Sequence, residues 1–193
     1  MQRICVFCGS NPGDDPAYLE SARAFGELLA ARDLELVYGG GRVGMMGALA
    51  DAVLEGGGSV IGVIPQALAE KEVAHEDLTQ LYLVASMHER KATMAKLSDA
   101  FVALPGGFGT LEEFCEVITW AQLGLHSKPC GLLDVGGFWG PLTQFFDRCV
   151  GAGFVGEAER ELVLVESDPA ALLGRLESFQ PLSTKRWIQL EEA

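Results

Sequence analysis

Short, continuously apolar runs alternate along this chain with longer stretches whose apolar positions recur every three or four residues. The runs at 3–8, 35–38, 59–64, 81–84, 99–104, 129–133 and 162–165 are rich in β-branched and aliphatic residues. Such unbroken hydrophobicity predicts strands covered on both faces, as in a parallel sheet. The stretches 16–31, 48–54, 87–97, 110–123, 138–152 and 168–179 have helical spacing and predict helices. Between 65 and 80 the charge density rises through Glu70-Lys71-Glu72-Val73-Ala74-His75-Glu76-Asp77, which predicts a surface excursion solvated at most positions. Strict alternation of strand and helix implies right-handed crossovers and a doubly wound, Rossmann-like α/β fold, one domain over 1–180 with a tail from 181 to 193. Ligands of such sheets bind at the carboxyl ends of the strands. Four predicted loops lie there: Gly9-Ser10, residues 39–47, Ala85-Ser86 and residues 105–110.

Composition narrows the function. With 193 residues, 49% of them apolar, the chain can bury one large core. A formal net charge of −13 repels polyanions, so neither nucleic acid nor an anionic membrane is an expected partner, and a small anion has to be held by local donors. The longest apolar run is too short to span a bilayer, and the expectation is a soluble, cytoplasmic protein. The five cysteines, Cys5, Cys8, Cys115, Cys130 and Cys149, fit reduced, buried thiols. Cys5 and Cys8 form a CxxC string, but three residues apart on a strand they face opposite sides, which disfavours a metal clamp or a redox pair. His75 and His126 show no ligand spacing, and no metal or cofactor is expected.

The chemistry concentrates in Leu104-Pro105-Gly106-Gly107-Phe108-Gly109-Thr110-Leu111-Glu112-Glu113, a predicted strand-to-helix turn. Glycines let a backbone approach a ligand closely, and free N–H groups at a helix start attract an anion, so a phosphate fits. Thr110 and Glu113 also have capping-box spacing, an equally good account of the same residues. Gly39-x-Gly41-x-x-Gly44 matches the dinucleotide fingerprint as a string. It follows the second strand instead of the first, and no acidic residue ends the next strand, which favours a mononucleotide phosphate over a dinucleotide. Ser86 and Glu89 predict another capping box, placing Arg90 and Lys91 near a helix start, where cations are disfavoured by about 0.3 to 1 kcal/mol each. That placement calls for a compensating anion; Arg90 suits an oriented phosphate or carboxylate, while Lys91 is equally suited to neighbouring carboxylates.

These residues resemble the LOG (Lonely Guy) family of cytokinin riboside 5'-monophosphate phosphoribohydrolases. The turn Pro105-Gly106-Gly107-Phe108-Gly109-Thr110-Leu111-Glu112-Glu113 is similar to its PGGxGTxxE motif, and the likeness extends to residues 5–10, 37–47, 87–91 and 116–124. The resemblance implies hydrolysis of the N-glycosidic bond of an N6-substituted AMP, releasing free base and ribose 5-phosphate. It implies Arg90 and Glu113 as the catalytic pair. It also implies a nucleoside 5'-monophosphate site lined by Glu72, Lys91, Gly107, Phe108, Gly109, Thr110, Leu111, Glu112 and Thr119. Phe108 stands where most members carry tyrosine, which keeps the ring and loses a hydroxyl. The family further implies a homodimer whose partner helps to complete the pocket. Two alternatives stay open on the residues: a hydrolase of plain AMP, and a non-catalytic nucleotide or pterin carrier of the same fold. No pyridoxal-phosphate lysine with an acidic partner can be picked out.

Overall fold

The computed structural model describes residues 1–69 and 74–181. Glu72, one of the expected substrate-binding residues, and nearly all of the expected tail lie outside the described residues. Seven strands, β1 (Arg3–Phe7), β2 (Glu35–Tyr38), β3 (Val60–Pro65), β4 (Gln80–Val84), β5 (Ala100–Ala103), β6 (Cys130–Leu133) and β7 (Val163–Glu166), form one sheet in the order β4-β3-β2-β1-β5-β6-β7. All six pairings are parallel; Cys5 lies between Val37 and Phe101, and Val102 between Val6 and Gly131. The doubly wound sheet expected from the hydrophobic pattern is therefore the observed architecture.

Helices cover both faces. On one lie α1 (Pro16–Ala31), α2 (Gly44–Glu55) and α8 (Pro169–Ser178), packing Phe25, Leu49 and Leu172 against Ile4, Val6 and Leu36. On the other lie α4 (Met87–Leu97), α5 (Phe108–Gln122) and α6 (Gly140–Gly151), with Met94, Phe114 and Val117 over Cys5, Phe7 and Phe101. Cys5 and Cys8 do fall into opposite cores, and all five cysteines are free. Cys115 departs from the expected burial: it is exposed on α5. Local signals fix several helix starts. Asp15 accepts from the Ala17 N–H ahead of Pro16, Asp168 accepts from Ala171 ahead of Pro169, and Ser86 accepts from Glu89, each cap contributing about 1 kcal/mol.

The structure corrects two expectations. Helix α2 begins at Gly44, inside the glycine run rather than after it. Gly44 has φ +63°, and a Cβ there would strike the Ser10 carbonyl, so a glycine lets this helix start abut the loop after β1. Two short helices were not foreseen, α3 (Gln66–Ala69) and α7 (Glu157–Arg160). Within the excursion after β3, expected to be solvated at most positions, His75 is 1% exposed, with Nε2 2.9 Å from Asp51 Oδ1 on α2. Among the described residues, no helix is long and apolar enough to cross a membrane.

Candidate active site

The strand order reverses between β1 and β5, where the chain after β1 turns one way and the chain after β5 the other. A crevice forms at such a point because the two loops diverge from adjacent strand ends. Here the loops are tied at their base, the Gly9 N–H donating to the Pro105 carbonyl at 3.0 Å. Above that bond opens a cleft of about 480 Å³, a size that suits a small organic ligand. The loop after β1 lines it with Ser10 and Asn11, the turn after β5 with Gly106 to Thr110, α2 with Met45 and Met46, and α4 with Met87 and Arg90. Glu112 and Glu113 also line it.

The turn after β5 differs from the capping-box expectation. Helix α5 starts at Phe108 with Gly107 as its N-cap, a residue that has no side chain to accept from the first turn. The first ladder bond runs from Leu111 N–H to the Gly107 carbonyl, so Thr110 sits within the helix and is not its cap. The N–H groups of Phe108, Gly109 and Thr110 precede that ladder and stand at the positive end of the helix dipole. The glycines divide by role. A Cβ on Gly106 would collide with the Thr110 side chain and lie 2.9 Å from the Gly9 nitrogen, whereas at Gly107 and Gly109 it would meet nothing within 4 Å. Gly106 thus closes the loop, while the surfaces of Gly107 and Gly109 are open to a ligand.

Arg90 reaches the cleft through the core. It is 7% exposed, its Nε donates to the Val63 carbonyl and its Nη2 to the Gly39 carbonyl, both at 3.1 Å, and its Nη1 lies 3.8 Å from Met87 Sδ. A Cβ on Gly39 would overlap the guanidinium, so the residue after β2 has to be glycine for Arg90 to seat. Glu113 is half-buried one turn into α5. Burial, and after it the Glu113 charge, push the Cys5 and Cys8 thiols up, and the Arg90 charge is felt at Cys5 as well. Both charges therefore reach Cys5 in β1.

The other expected residues separate. Lys91, 9% exposed, donates to Glu112 and, at 3.0 Å, to Glu116, clamping α4 to α5. Burial pulls its pKa down, but the two carboxylates outweigh it and hold the ammonium above the ordinary lysine value. Phe108 is 92% exposed at the cleft rim. Leu111 packs towards the core beneath α5, leaving its backbone as its contribution to the turn. Thr119 does not join the cleft. It lies three turns along α5 on a surface groove with Ile118, Gln122, Phe146 and Val155, its hydroxyl donating to the Cys115 carbonyl. His88 is exposed on α4 outside the cleft lining. Sequence reasoning missed Asn11, and it missed Tyr18, Met45, Met46, Met87 and Phe138, which give the cleft an apolar lining. Among the described residues no cluster of three metal-ligating side chains occurs.

Fold and cleft together define a doubly wound α/β protein with an arginine- and carboxylate-lined crevice, opened onto by a helix N-terminus, at its switch point. A family model described as "Possible lysine decarboxylase" matches residues 46–176. The probable cytokinin riboside 5'-monophosphate phosphoribohydrolase LOGL9 of Oryza sativa subsp. japonica is 52% identical over 182 residues, covering 94% of this chain and 80% of that one. The cytokinin riboside 5'-monophosphate phosphoribohydrolase LOG1 of Arabidopsis thaliana is 48% identical over 185 residues, 96% of this chain and 87% of that one. The chain belongs to this LOG family. Among solved structures, the molybdenum cofactor carrier protein of Chlamydomonas reinhardtii superposes with a TM-score of 0.69 at 23% identity, over 92% of this chain and 99% of that one, a likeness of fold alone.

Proposed function

We propose that this chain hydrolyses the N-glycosidic bond of cytokinin riboside 5'-monophosphates, N6-substituted forms of AMP, to free base and ribose 5-phosphate. Its relatives at about half identity carry that name. The observation that carries the reading is the convergence on one cleft of a helix start with a glycine N-cap and two open glycines, a half-buried carboxylate one turn on, and a core-seated arginine. The 5'-phosphate accepts from the N–H groups at Gly107 to Thr110, which fixes the ribose at a set distance from Glu113. As the bond from C1' to the base nitrogen lengthens, the electron pair leaves with the base and positive charge builds on the sugar. Glu113 stabilises that charge and orients the attacking water, whose oxygen bonds to C1' and whose proton ends on the departing base or the solvent. Arg90, its Nε and Nη2 committed to carbonyls, presents its remaining N–H groups to the ligand or to Glu113 in one orientation. Lys91 acts through Glu112, and Glu72 remains a proposed contact by resemblance.

Lysine decarboxylation, the chemistry in the family model's description, does not fit the cleft, because among the described residues no lysine lines it to hold an aldehyde cofactor. The apolar walls of Met45, Met46, Met87, Tyr18 and Phe138 favour a substituted base over plain AMP. A homodimer is part of the proposal: α6 has no buried residue, Phe145 and Phe154 are 60% and 83% exposed, and Thr119 lies outside its own chain's cleft, which suits a contact with a neighbouring copy's nucleotide. The reduced cysteines fit a cytoplasmic location.

Base release followed by chromatography tests the reading. Isopentenyladenosine monophosphate should be cleaved, and the riboside without its phosphate should fall at least about a hundredfold in kcat/KM, because the helix start has no anion to hold. Glu113→Gln should abolish turnover while nucleotide binding stays within about tenfold. Equal rates for nucleoside and nucleotide would remove the phosphate role from the glycine turn.

A further inference from the structure

The buried histidine of the excursion after β3 has no part in the chemistry above, yet its hydrogen bonds lead to Arg90. The imidazole of His75 is fixed at both nitrogens. The Asp77 N–H donates to Nδ1 at 3.2 Å, which leaves the proton on Nε2 to donate to Asp51 Oδ1 at 2.9 Å. Asp51 stands on α2 with half of its side chain in solvent, so the histidine fastens the excursion to that helix. The main chain beside the ring pairs with the turn after β2: the His75 N–H donates to the Gly40 carbonyl at 3.0 Å, and Ala74 forms an antiparallel bridge with Gly41. The preceding carbonyl of that turn, Gly39, accepts from Arg90 Nη2. Consecutive carbonyls of one turn are thus held, one by the His75 main chain and one by the arginine.

We propose that His75 and Asp51 are positioning residues for Arg90: their hydrogen bond holds the Gly39–Gly41 turn in the place that seats the guanidinium. The inference rests on the reading of Arg90 as part of the hydrolytic site. Gly40, at φ +79°, packs with its Cα against Gly62 and against Ile64, so the turn has little side chain of its own to lock it. Losing the acceptor on Asp51 leaves a buried Nε2–H unsatisfied, and the ring, the pairing strand and the turn loosen together. The Val63 carbonyl still holds Nε, so the guanidinium remains in the core but swings about that bond, and a displacement near 1 Å is enough to lower a transition-state interaction.

The test substitutes the partner that has half of its side chain in solvent. Asp51→Ala should lower kcat by about tenfold or more with KM within about threefold, and Asp51→Asn, whose amide oxygen still accepts from Nε2–H, should recover most of it. The reactivity of Arg90 towards phenylglyoxal, mapped by peptide mass spectrometry, is a readout independent of turnover. It should rise several-fold in Asp51→Ala and in His75→Ala and stay at the wild-type rate in Asp51→Asn. Wild-type kcat with unchanged Arg90 reactivity in Asp51→Ala overturns the proposal, and so does an Asp51→Asn variant as impaired as the alanine. If the wild-type protein released no base, the hydrolase reading would fall, while the phenylglyoxal comparison would still decide this one.

Discussion

Three glycines in four residues look alike in the sequence, but they separate by what surrounds them. Gly106 is enclosed by Thr110 and the Gly9 main chain, and Gly107 and Gly109 face open space. Inside the first turn of α5, an alanine is a better residue than a glycine by about 0.5 to 1 kcal/mol. Gly109→Ala should therefore raise the melting temperature slightly while lowering kcat/KM for the nucleotide at least about tenfold, because the new methyl occupies the anion's place. Gly106→Ala should instead lose stability through its collisions with Thr110 and Gly9. Calorimetry and steady-state kinetics on the two variants separate these effects, and a Gly109→Ala protein with unimpaired kcat/KM would move the phosphate away from this turn.

At the scale of elements, α5 and its following loop are tied by His126. The ring stacks obliquely on Phe101 with centroids 5.2 Å apart; the Lys128 N–H donates to Nδ1 and Nε2 lies 2.9 Å from the Val117 carbonyl. Burial, in spite of the Val117 hydrogen bond, lowers its pKa from 6.5 to about 4. The folded state then binds this proton less readily than the unfolded chain. His126's contribution is complete above the unfolded value and is lost as pH falls from 6.5 towards 4. Solvent screening of the partly exposed ring reduces the effect to roughly 1 kcal/mol between pH 7 and pH 5. Urea denaturation of wild type and His126→Gln across that interval should show their stability difference shrinking by this amount, and a constant difference would refute it.

Element boundaries were legible where a side chain marks them. Residues 16–31, 35–38 and 87–97 take the predicted limits, with Asp15 and Ser86 as caps at the two helix starts. They were illegible where glycines set them: α2 and α5 both begin earlier than helical spacing suggests, because close approach to Ser10 and an open N-terminus outweigh propensity. In the candidate site, the turn at 105–113 and Arg90 could be read, but not what seats Arg90. Its partners are main-chain carbonyls at Val63 and Gly39, and a carbonyl carries no residue-type signal. The burial of His75 was not legible because charged neighbours surround it in sequence, while in space it faces α2.

For the whole molecule, the expected assembly turns on one side of the sheet. The groove between α5 and the α6–α7 region is lined by Ile118, Phe146 and Val155, and Phe145 and Phe154 stand exposed nearby on the chain. Aromatic residues so exposed are costly to leave in water and fit an isologous contact between copies. Sedimentation at micromolar concentration should give a dimer, and Thr119→Ala should impair base release although Thr119 is outside its own chain's cleft. A fully active monomer would remove both the dimer and the shared pocket.

The bond from Gly9 to Pro105 also governs when the cleft can exist. Its two loops follow β1 and β5, neighbours in the sheet but separated by β2, β3 and β4 along the chain. During synthesis from the amino terminus, β1 to β4 can associate while the second wall of the crevice is still untranslated. Closing so long a loop makes the pairing of β1 with β5 an entropically expensive and slow step. Until it occurs the β1 edge is unprotected, with Ile4 to Phe7 offering an apolar strand to any other chain. The cleft is therefore completed late on the folding route, at the same step that covers the apolar edge of β1.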